Sequence, residues 1–153
     1  MRVISQNVIK ANLSINNQVH ASIKHGLVLL VGFTPGDNED IALKMANKIV
    51  KSRIFQDENG HTNLSIVDIN GEILSVSQFT LYGDLRKGNR PSFVNALEPK
   101  RASELYDYFN ICLKNILQKE IKTGVFGADM QIDLINNGPF TMIYDSQELI
   151  KND

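Results

Sequence analysis

The stretch Leu27-Val28-Leu29-Leu30-Val31 is a continuous aliphatic run, typical of a strand that is buried on both faces. The segments before it alternate instead, since residues 2–15 and 18–23 place apolar side chains at roughly every second position. Asn16-Asn17 lies between those two segments and is a turn signal. The pattern predicts a β-hairpin, a turn at His25-Gly26, and then a central strand.

Two later segments have helical periodicity. Apolar residues at positions 41, 42, 45, 46, 49 and 50 share one helical face, and Asp37 is the predicted N-cap. A second helix is predicted from Pro99, a residue suited to the first helical position, to about Lys119. Cys112 lies in the apolar face of that helix, which indicates a packed thiol and not a nucleophile.

The remaining apolar segments predict short strands. They lie at residues 53–55, 64–67, 72–81, 130–135 and 140–144, with a loop or edge element at 123–127. Two long helices and about eight strands do not alternate strictly along the chain. We therefore predict an α+β fold with curved, mostly antiparallel, barrel-like β-sheets and two long helices packed outside, in a single domain spanning residues 1–153.

Composition narrows the classes of function. The formal net charge is −1, which argues against broad coating of nucleic acid. No apolar run approaches the roughly 20 residues of a membrane span, and the first residues do not read as a signal peptide. One cysteine and three dispersed histidines predict no metal site, and the absence of a phosphate-binding glycine motif predicts no cofactor. We expect a cytoplasmic protein.

Two neighbouring segments can support chemistry. Residues 75–82 read Ser-Val-Ser-Gln-Phe-Thr-Leu-Tyr and offer hydroxyl and amide groups without charge. Residues 83–91 combine three cations with two glycines and a proline, a composition that can hold phosphates. Ordinary β-propensity explains the first segment equally well, and a solvated surface loop is the simpler interpretation of the second.

Four motifs in register resemble the D-aminoacyl-tRNA deacylase family, also called the D-tyrosyl-tRNA deacylase family. They are Gly71-Glu72-Ile73-Leu74-Ser75-Val76-Ser77-Gln78-Phe79-Thr80-Leu81-Tyr82, Arg86-Lys87-Gly88-Asn89-Arg90-Pro91-Ser92-Phe93, Thr123-Gly124-Val125-Phe126-Gly127-Ala128-Asp129-Met130 and Asn137-Gly138-Pro139-Phe140-Thr141. The resemblance runs from Met1 to about Ser146. It implies a D-aminoacyl-tRNA deacylase-like fold.

The resemblance also implies an activity. The expected reaction is hydrolysis of the ester bond of D-aminoacyl-tRNA, such as D-tyrosyl-tRNA, and of glycine mischarged on tRNA(Ala). The expected partners are the aminoacyl-tRNA and a second copy of the chain. In such a homodimer the Gly-Pro loop of one protomer would reach the active site of the other.

The expected site residues follow from the same motifs. Ser77, Gln78, Phe79 and Thr80 would be catalytic, with the backbone N–H groups near Phe79 and Thr80 as oxyanion donors. Gly138, Pro139, Met130 and Thr141 would bind the substrate. The resemblance implies that Gly138-Pro139 is a Gly-cis-Pro unit whose rigid backbone rejects L-aminoacyl esters. We expect Arg86, Lys87 and Arg90 to contact tRNA phosphates.

Alternatives remain open at the level of sequence. Thr80 could attack as a nucleophile, or the ribose hydroxyl of the tRNA could assist while the protein only positions the ester. We favour the second, because the chain has no evident acid–base pair. The chain could also be a non-catalytic RNA- or protein-binding module, or an esterase that does not need tRNA.

One position departs from the family pattern. Many relatives read Gln-Arg-Val near the N-terminus, where this chain has Gln6-Asn7-Val8. The resemblance implies that this arginine braces the Gly-Pro loop in those relatives. Another residue could supply the brace in this chain.

Overall fold

The structure is a computed structural model, and it describes residues 1–150. Residues 151–153 of the predicted domain lie outside the described residues. Eight strands and three α-helices are found in that range, with one 3-10 helix at Phe79–Tyr82. The strands are β1 Arg2–Ile15, β2 Gln18–Ile23, β3 Gly26–Gly32, β4 Phe55–Gln56, β5 Thr62–Leu64, β6 Glu72–Ser77, β7 Lys122–Thr123 and β8 Gln131–Asp145. The helices are α1 Glu39–Lys51, α2 Pro99–Leu117 and α3 Ser146–Leu149.

The strand β1 organises the main sheet. It pairs antiparallel with β2, β3 and β8, while β3 and β6 pair in parallel, as do β6 and β7. The sheet is thus mixed, and its antiparallel part surrounds β1. Strands β4 and β5 form a separate two-stranded sheet. The predicted α+β class and the curved, nearly closed sheet with helices outside are confirmed.

The turn predicted at His25-Gly26 is wrong. Ala11 of β1 pairs with Ile23 of β2, and Val8 of β1 pairs with Gly26 of β3. Three residues separate the two pairs on each side, so the antiparallel register along β1 is the same for β2 and β3. These two strands therefore continue in one direction along β1, with a local break between them. Gly26 is required there because a Cβ would lie 1.9 Å from the carbonyl oxygen of Glu72 on the adjacent strand.

The central strand β3 is buried on both faces, as predicted. Leu27, Leu29 and Val31 point into a core cluster that α1 and α2 cover, whereas Val28 points into a second cluster inside the curve of the sheet. Successive side chains of a strand face opposite ways, so a strand between two apolar layers is apolar throughout. The helix α2 contributes the fully buried Phe109 side chain to the first cluster.

The strand predicted over residues 72–81 ends at Ser77, so the predicted C-terminal end of this strand is wrong. The parallel partner β3 pairs Val31 with Ser77 and ends at Gly32. Beyond that point a strand would have no neighbour to hydrogen-bond with. The chain instead closes into the 3-10 helix Phe79–Tyr82, and tertiary context overrides the β-propensity of threonine and tyrosine.

Other boundaries also differ from the predictions. The segments 130–135 and 140–144 belong to one strand, β8, because both halves pair with the long strand β1. The residues 66–70 form turns and not the end of a strand. Asn38 caps α1 by accepting from the Ile41 N–H, whereas Asp37 accepts from the Thr34 N–H. The short helix α3 was not predicted.

Pro99 occupies the start of α2 as predicted, and the Glu98 side chain caps that helix. Among residues 1–150, no helix has the length and apolar character needed to cross a membrane.

Candidate active site

A cavity of about 270 Å³ opens at the carboxyl ends of the parallel strands β3 and β6. A segment following β7 closes its opposite side. The lining residues lie at 31–33, 76–79 and 126–130, together with Leu97, Ala102 and Ile132. The polar groups at the ends of the adjacent parallel strands β3 and β6 therefore lie on the wall of one cavity.

The segment Ser77-Gln78-Phe79 forms one wall of this cavity. The Gln78 N–H donates a 2.7 Å hydrogen bond to the Val31 carbonyl oxygen, the last rung before the chain turns into the 3-10 helix. The Gln78 side-chain amide donates to the Thr80 hydroxyl. Thr80 itself is exposed and is not among the lining residues, so it lies at the rim.

Met130 forms part of the opposite wall and is half-buried. Its sulfur rests on Gly124, where a Cβ would lie 2.4 Å from the Sδ atom and 3.0 Å from Cδ1 of Leu13. Gly124 is tied to the β6 edge of the site by a hydrogen bond from its N–H to the Ser75 carbonyl oxygen. The absence of a side chain at position 124 therefore sets where Met130 lies.

An aromatic pair stands at the mouth of the cavity. The Phe79 ring is 55% exposed, and the Phe93 ring packs edge-to-face against it with centroids 4.9 Å apart. Phe93 is the last residue of the second family motif, and the sequence predicts no role for it. An apolar surface thus adjoins the polar wall formed by Ser77 and Gln78.

The ionisable groups of the site are few. Asp129 is the one ionisable side chain among the described lining residues, and it is exposed. His20, His25 and His61 are all outside the lining. In the part of the chain that the structure describes, no cluster of three or more potential metal ligands is found. The geometry can orient and polarise a substrate by hydrogen bonds.

The single thiol is remote from this chemistry. Cys112 is buried in the apolar face of α2 as part of the first core cluster, and burial raises the pKa of its thiol. It does not line the cavity.

The cationic loop, residues 84–92, follows the 3-10 helix. Its ends are joined by two backbone hydrogen bonds between Asp84 and Ser92, of 2.8 and 2.9 Å. Arg86 donates to both carboxylate oxygens of Asp84 and lowers the pKa of that carboxyl to about 2. Lys87 and Arg90 are exposed, and neither forms an ion pair with any residue between 1 and 150.

The Gly138-Pro139 unit lies apart from the cavity within one chain. The peptide bond is cis, Gly138 has a φ of +135°, and both residues are exposed. Neither they nor Thr141 line the cavity. The structure of a single chain thus brings together Ser77, Gln78, Phe79 and Met130, but it leaves the Gly-Pro turn and Thr141 elsewhere on β8.

Sequence reasoning missed Asn136, the residue two positions before Gly138. Its side chain makes three hydrogen bonds around the turn. The Asn-Asn pair before Gly-Pro was the available signal, because asparagine amides readily bond to nearby backbone groups in turns.

Comparison with known proteins identifies the family. A family model described as D-Tyr-tRNA(Tyr) deacylase matches residues 4–145. The chain is 55% identical over 145 residues to a protein of Lactobacillus gasseri named D-aminoacyl-tRNA deacylase, covering 95% of this chain and 99% of that one. It is 51% identical over 154 residues to a protein of the same name from Geobacillus sp., covering 99% of each chain.

Solved structures share the fold. The chain matches a protein titled c-Myc DNA Unwinding Element Binding Protein with a TM-score of 0.90 and 35% identity, covering 95% of this chain and 98% of that one. A structure titled "Structural Analysis of a probable eukaryotic D-amino acid tRNA deacylase" matches with a TM-score of 0.82 at 17% identity, covering 94% and 97%. With a family model and two relatives matching nearly the whole chain, this protein belongs to the D-aminoacyl-tRNA deacylase family of ester hydrolases.

Proposed function

We propose that this protein hydrolyses the ester bond of D-aminoacyl-tRNA and releases the free D-amino acid and tRNA. Family membership over nearly the full chain supports this function. The observation that carries it is the cavity at the ends of β3 and β6, which Ser77, Gln78 and Phe79 border. We place the reaction in the cytoplasm, where aminoacyl-tRNA is used.

The chemistry we propose is polarisation of the ester carbonyl. The first N–H groups of a helix have no partner inside that helix, so the amides of Phe79 and Thr80 can donate to a developing oxyanion. Ser77 and Gln78 would position the terminal adenosine, and Met130 would line the aminoacyl pocket. No step in this scheme needs an ionisable protein group.

Substrate assistance is the mechanism we prefer over attack by Thr80. The Thr80 hydroxyl accepts from the Gln78 amide, which cannot act as a base. A ribose hydroxyl of the tRNA would then assist hydrolysis while the protein holds the ester. Thr80→Ala tests this choice: we expect substantial retained activity, and near-complete loss with intact folding and tRNA binding would establish Thr80 as the nucleophile.

Chiral selection is assigned to the Gly138-Pro139 turn. Its carbonyl oxygens would accept hydrogen bonds from the α-ammonium of the aminoacyl ester. With the ammonium and the ester held, a D side chain points outward, whereas an L side chain is driven into backbone and is rejected by steric clash. Glycine has no side chain to exclude, so glycine on tRNA(Ala) would also be hydrolysed.

This selection requires a homodimer, because the turn does not line the cavity of its own chain. Ile4 and Ile143 pair across β1 and β8, so their side chains share one face of the sheet, and Ile143 is 68% exposed. Thr141 pairs with Gln6 on the same face. The exposed Ile143 side chain beside the turn supports a two-fold contact that carries the turn into the partner's cavity.

The deciding experiment compares deacylation of D-tyrosyl-tRNA and L-tyrosyl-tRNA. We expect turnover of the D substrate only. A non-catalytic RNA-binding module would hydrolyse neither ester, and a general esterase would cleave a simple amino acid ester equally well without tRNA.

Mixing two inactive variants tests whether the turn acts on the partner. Ala128→Trp would fill the cavity, and Gly138→Val would disrupt the turn, because a Cβ there lies 3.0 Å from the Phe140 nitrogen. A mixed dimer contains one intact cavity facing one intact turn only if the turn works across the interface. Restored activity on mixing supports the arrangement, and no restoration, with mixed dimers shown to form, contradicts it.

A further inference from the structure

We infer that Asn136 is the residue that sets the shape of the Gly138-Pro139 turn and thereby controls discrimination between D and L substrates. Asn136 is a positioning residue, since it would act through the turn and not on the substrate. The inference rests on the proposed function of that turn.

The Asn136 side chain contacts both ends of the turn and the neighbouring strand. Its Nδ2 donates to the carbonyl oxygens of Phe140, at 3.0 Å, and Asn7, at 3.1 Å. Its Oδ1 accepts from the Phe140 N–H at 3.2 Å. One amide therefore closes the segment 136–140 into a loop and fastens that loop to β1.

The strand ladder cannot make these bonds itself. Along the β1–β8 pair, Gln6 faces Thr141 and Val8 faces Asn136, so residues 137–140 lie opposite Asn7 alone. Such a bulge leaves backbone donors and acceptors without ladder partners. The Asn136 amide supplies partners to Phe140 and Asn7, whose backbone groups lie at the two sides of this gap.

The brace ends on a buried part of the molecule. Asn7 is only 6% exposed, and its Nδ2 donates a 2.8 Å hydrogen bond to the Ile54 carbonyl oxygen. The Asn7 side chain thus holds its own backbone in the core, and the Asn7 carbonyl oxygen receives the bond from Asn136. The exposed turn is fastened through Asn136 to a fixed point of the sheet.

The chemistry of this position requires an amide. The two carbonyl oxygens need a donor and the Phe140 N–H needs an acceptor, so exchanging the nitrogen and oxygen of Asn136 would oppose like groups at all three contacts. Aspartate keeps the acceptor but offers no donor, and it places a negative charge beside two carbonyl oxygens. Alanine loses all three hydrogen bonds without introducing charge.

The test uses Asn136→Asp and Asn136→Ala with Asn137→Asp as the matched control. Asn137 is the exposed neighbour, and its side chain forms no hydrogen bond within residues 1–150. The control adds the same charge to the same turn without removing the brace. The readouts are kcat/KM for D-tyrosyl-tRNA and L-tyrosyl-tRNA, the melting temperature, and amide hydrogen exchange at Phe140.

We expect both Asn136 variants to lower the D-to-L ratio of kcat/KM by roughly tenfold or more, since each loses at least two hydrogen bonds that hold the turn. Asn137→Asp should change both substrates alike and leave the ratio within about twofold. Exchange at Phe140 should accelerate in Asn136→Ala, whereas exchange at Tyr144, in the regular part of β8, should not.

Two outcomes overturn the inference. The first is an unchanged D-to-L ratio in correctly folded Asn136 variants, even if their melting temperatures fall. The second is unchanged exchange at Phe140 in Asn136→Ala. If the wild-type protein itself does not discriminate D from L, the proposed function fails, and the exchange measurement still reports whether Asn136 holds the turn.

Discussion

Arg2 donates a 2.8 Å hydrogen bond through Nη1 to the carbonyl oxygen of Leu81, at the end of the 3-10 helix. The same guanidinium donates through Nε to Asp145 at 3.0 Å and lies 4.8 Å above the centroid of the Tyr82 ring. The first residue of β1 thereby holds the segment that begins with Phe79 against the end of β8.

Replacement of Arg2 by alanine should therefore lower activity more than it lowers stability. The guanidinium is partly exposed, so its ion pair contributes on the order of 1 kcal/mol or less to folding. Loss of the Leu81 contact should instead loosen the 3-10 helix and lower kcat. Lys10→Ala, on the same strand but exposed, is the control, and equal activity of the two variants would contradict this role.

Removing the hydroxyl group should have different effects on stability at two buried tyrosines, Tyr106 and Tyr82. The buried Tyr106 hydroxyl donates a 2.7 Å hydrogen bond to the Ser75 carbonyl oxygen, whereas the Tyr82 hydroxyl is buried without a partner among the described residues. Tyr106→Phe should cost about 1 kcal/mol of unfolding free energy. Tyr82→Phe should be neutral or stabilising, because it removes a desolvated polar group. Denaturant unfolding of both variants measures the contrast, and equal losses would contradict it.

Gly124→Ala should damage the cavity through Met130. The added Cβ would overlap the Met130 sulfur at 2.4 Å, and overpacking of this kind typically costs about 1–3 kcal/mol. Activity should fall as the wall of the cavity moves. The double variant Gly124→Ala with Met130→Ala should recover part of the lost stability, which a double-mutant cycle measures. Additive losses would show that the overlap is not the cause.

The Asp84 carboxyl should remain ionised at pH values between about 2 and 3.8, where an ordinary aspartate becomes protonated. Its pKa is lowered from 3.8 to about 2, first by the side-chain hydrogen bonds from Arg86 and then by the backbone N–H of Arg86. A lowered acid pKa in the folded state stabilises the protein fully above pH 3.8, and that contribution is lost as the pH falls through about 2. An NMR titration should show the carboxyl pKa returning towards 3.8 in Arg86→Ala. An unchanged titration would contradict the assignment.

The cationic loop should contact tRNA unequally. Lys87 and Arg90 are exposed without acidic partners in the described chain. The salt dependence of tRNA binding is measured as the slope of log K against log salt concentration. Each alanine replacement should reduce the magnitude of that slope by about 0.7–0.9. Arg86→Ala should reduce it less, because that guanidinium is already paired with Asp84. Lys51→Ala on α1 is the control. Unchanged slopes for both Lys87 and Arg90 would remove the loop from the interface.

The sequence by itself predicted those elements whose pattern lies within one continuous segment. It predicted the buried strand β3, the helices α1 and α2, and the start of α2 at Pro99. Burial on both faces of a strand or on one face of a helix produces a pattern of apolar residues within the segment itself. The family motifs likewise placed Ser77, Gln78 and Phe79 together, and these three residues do border one cavity.

The strand boundaries and the role of Asn136 could not be predicted from sequence, because they depend on residues that are distant along the chain. Ser77 ends its strand because β3 runs out beside it, and the residues before and after the Gly-Pro turn form one strand because β1 is long enough to pair with both. The role of Asn136 could be recognised only from the tertiary structure, which places the Asn7 carbonyl oxygen within reach of its amide. Local propensity amounts to a few tenths of a kcal/mol per residue, and a neighbouring strand that offers or withholds hydrogen bonds outweighs it.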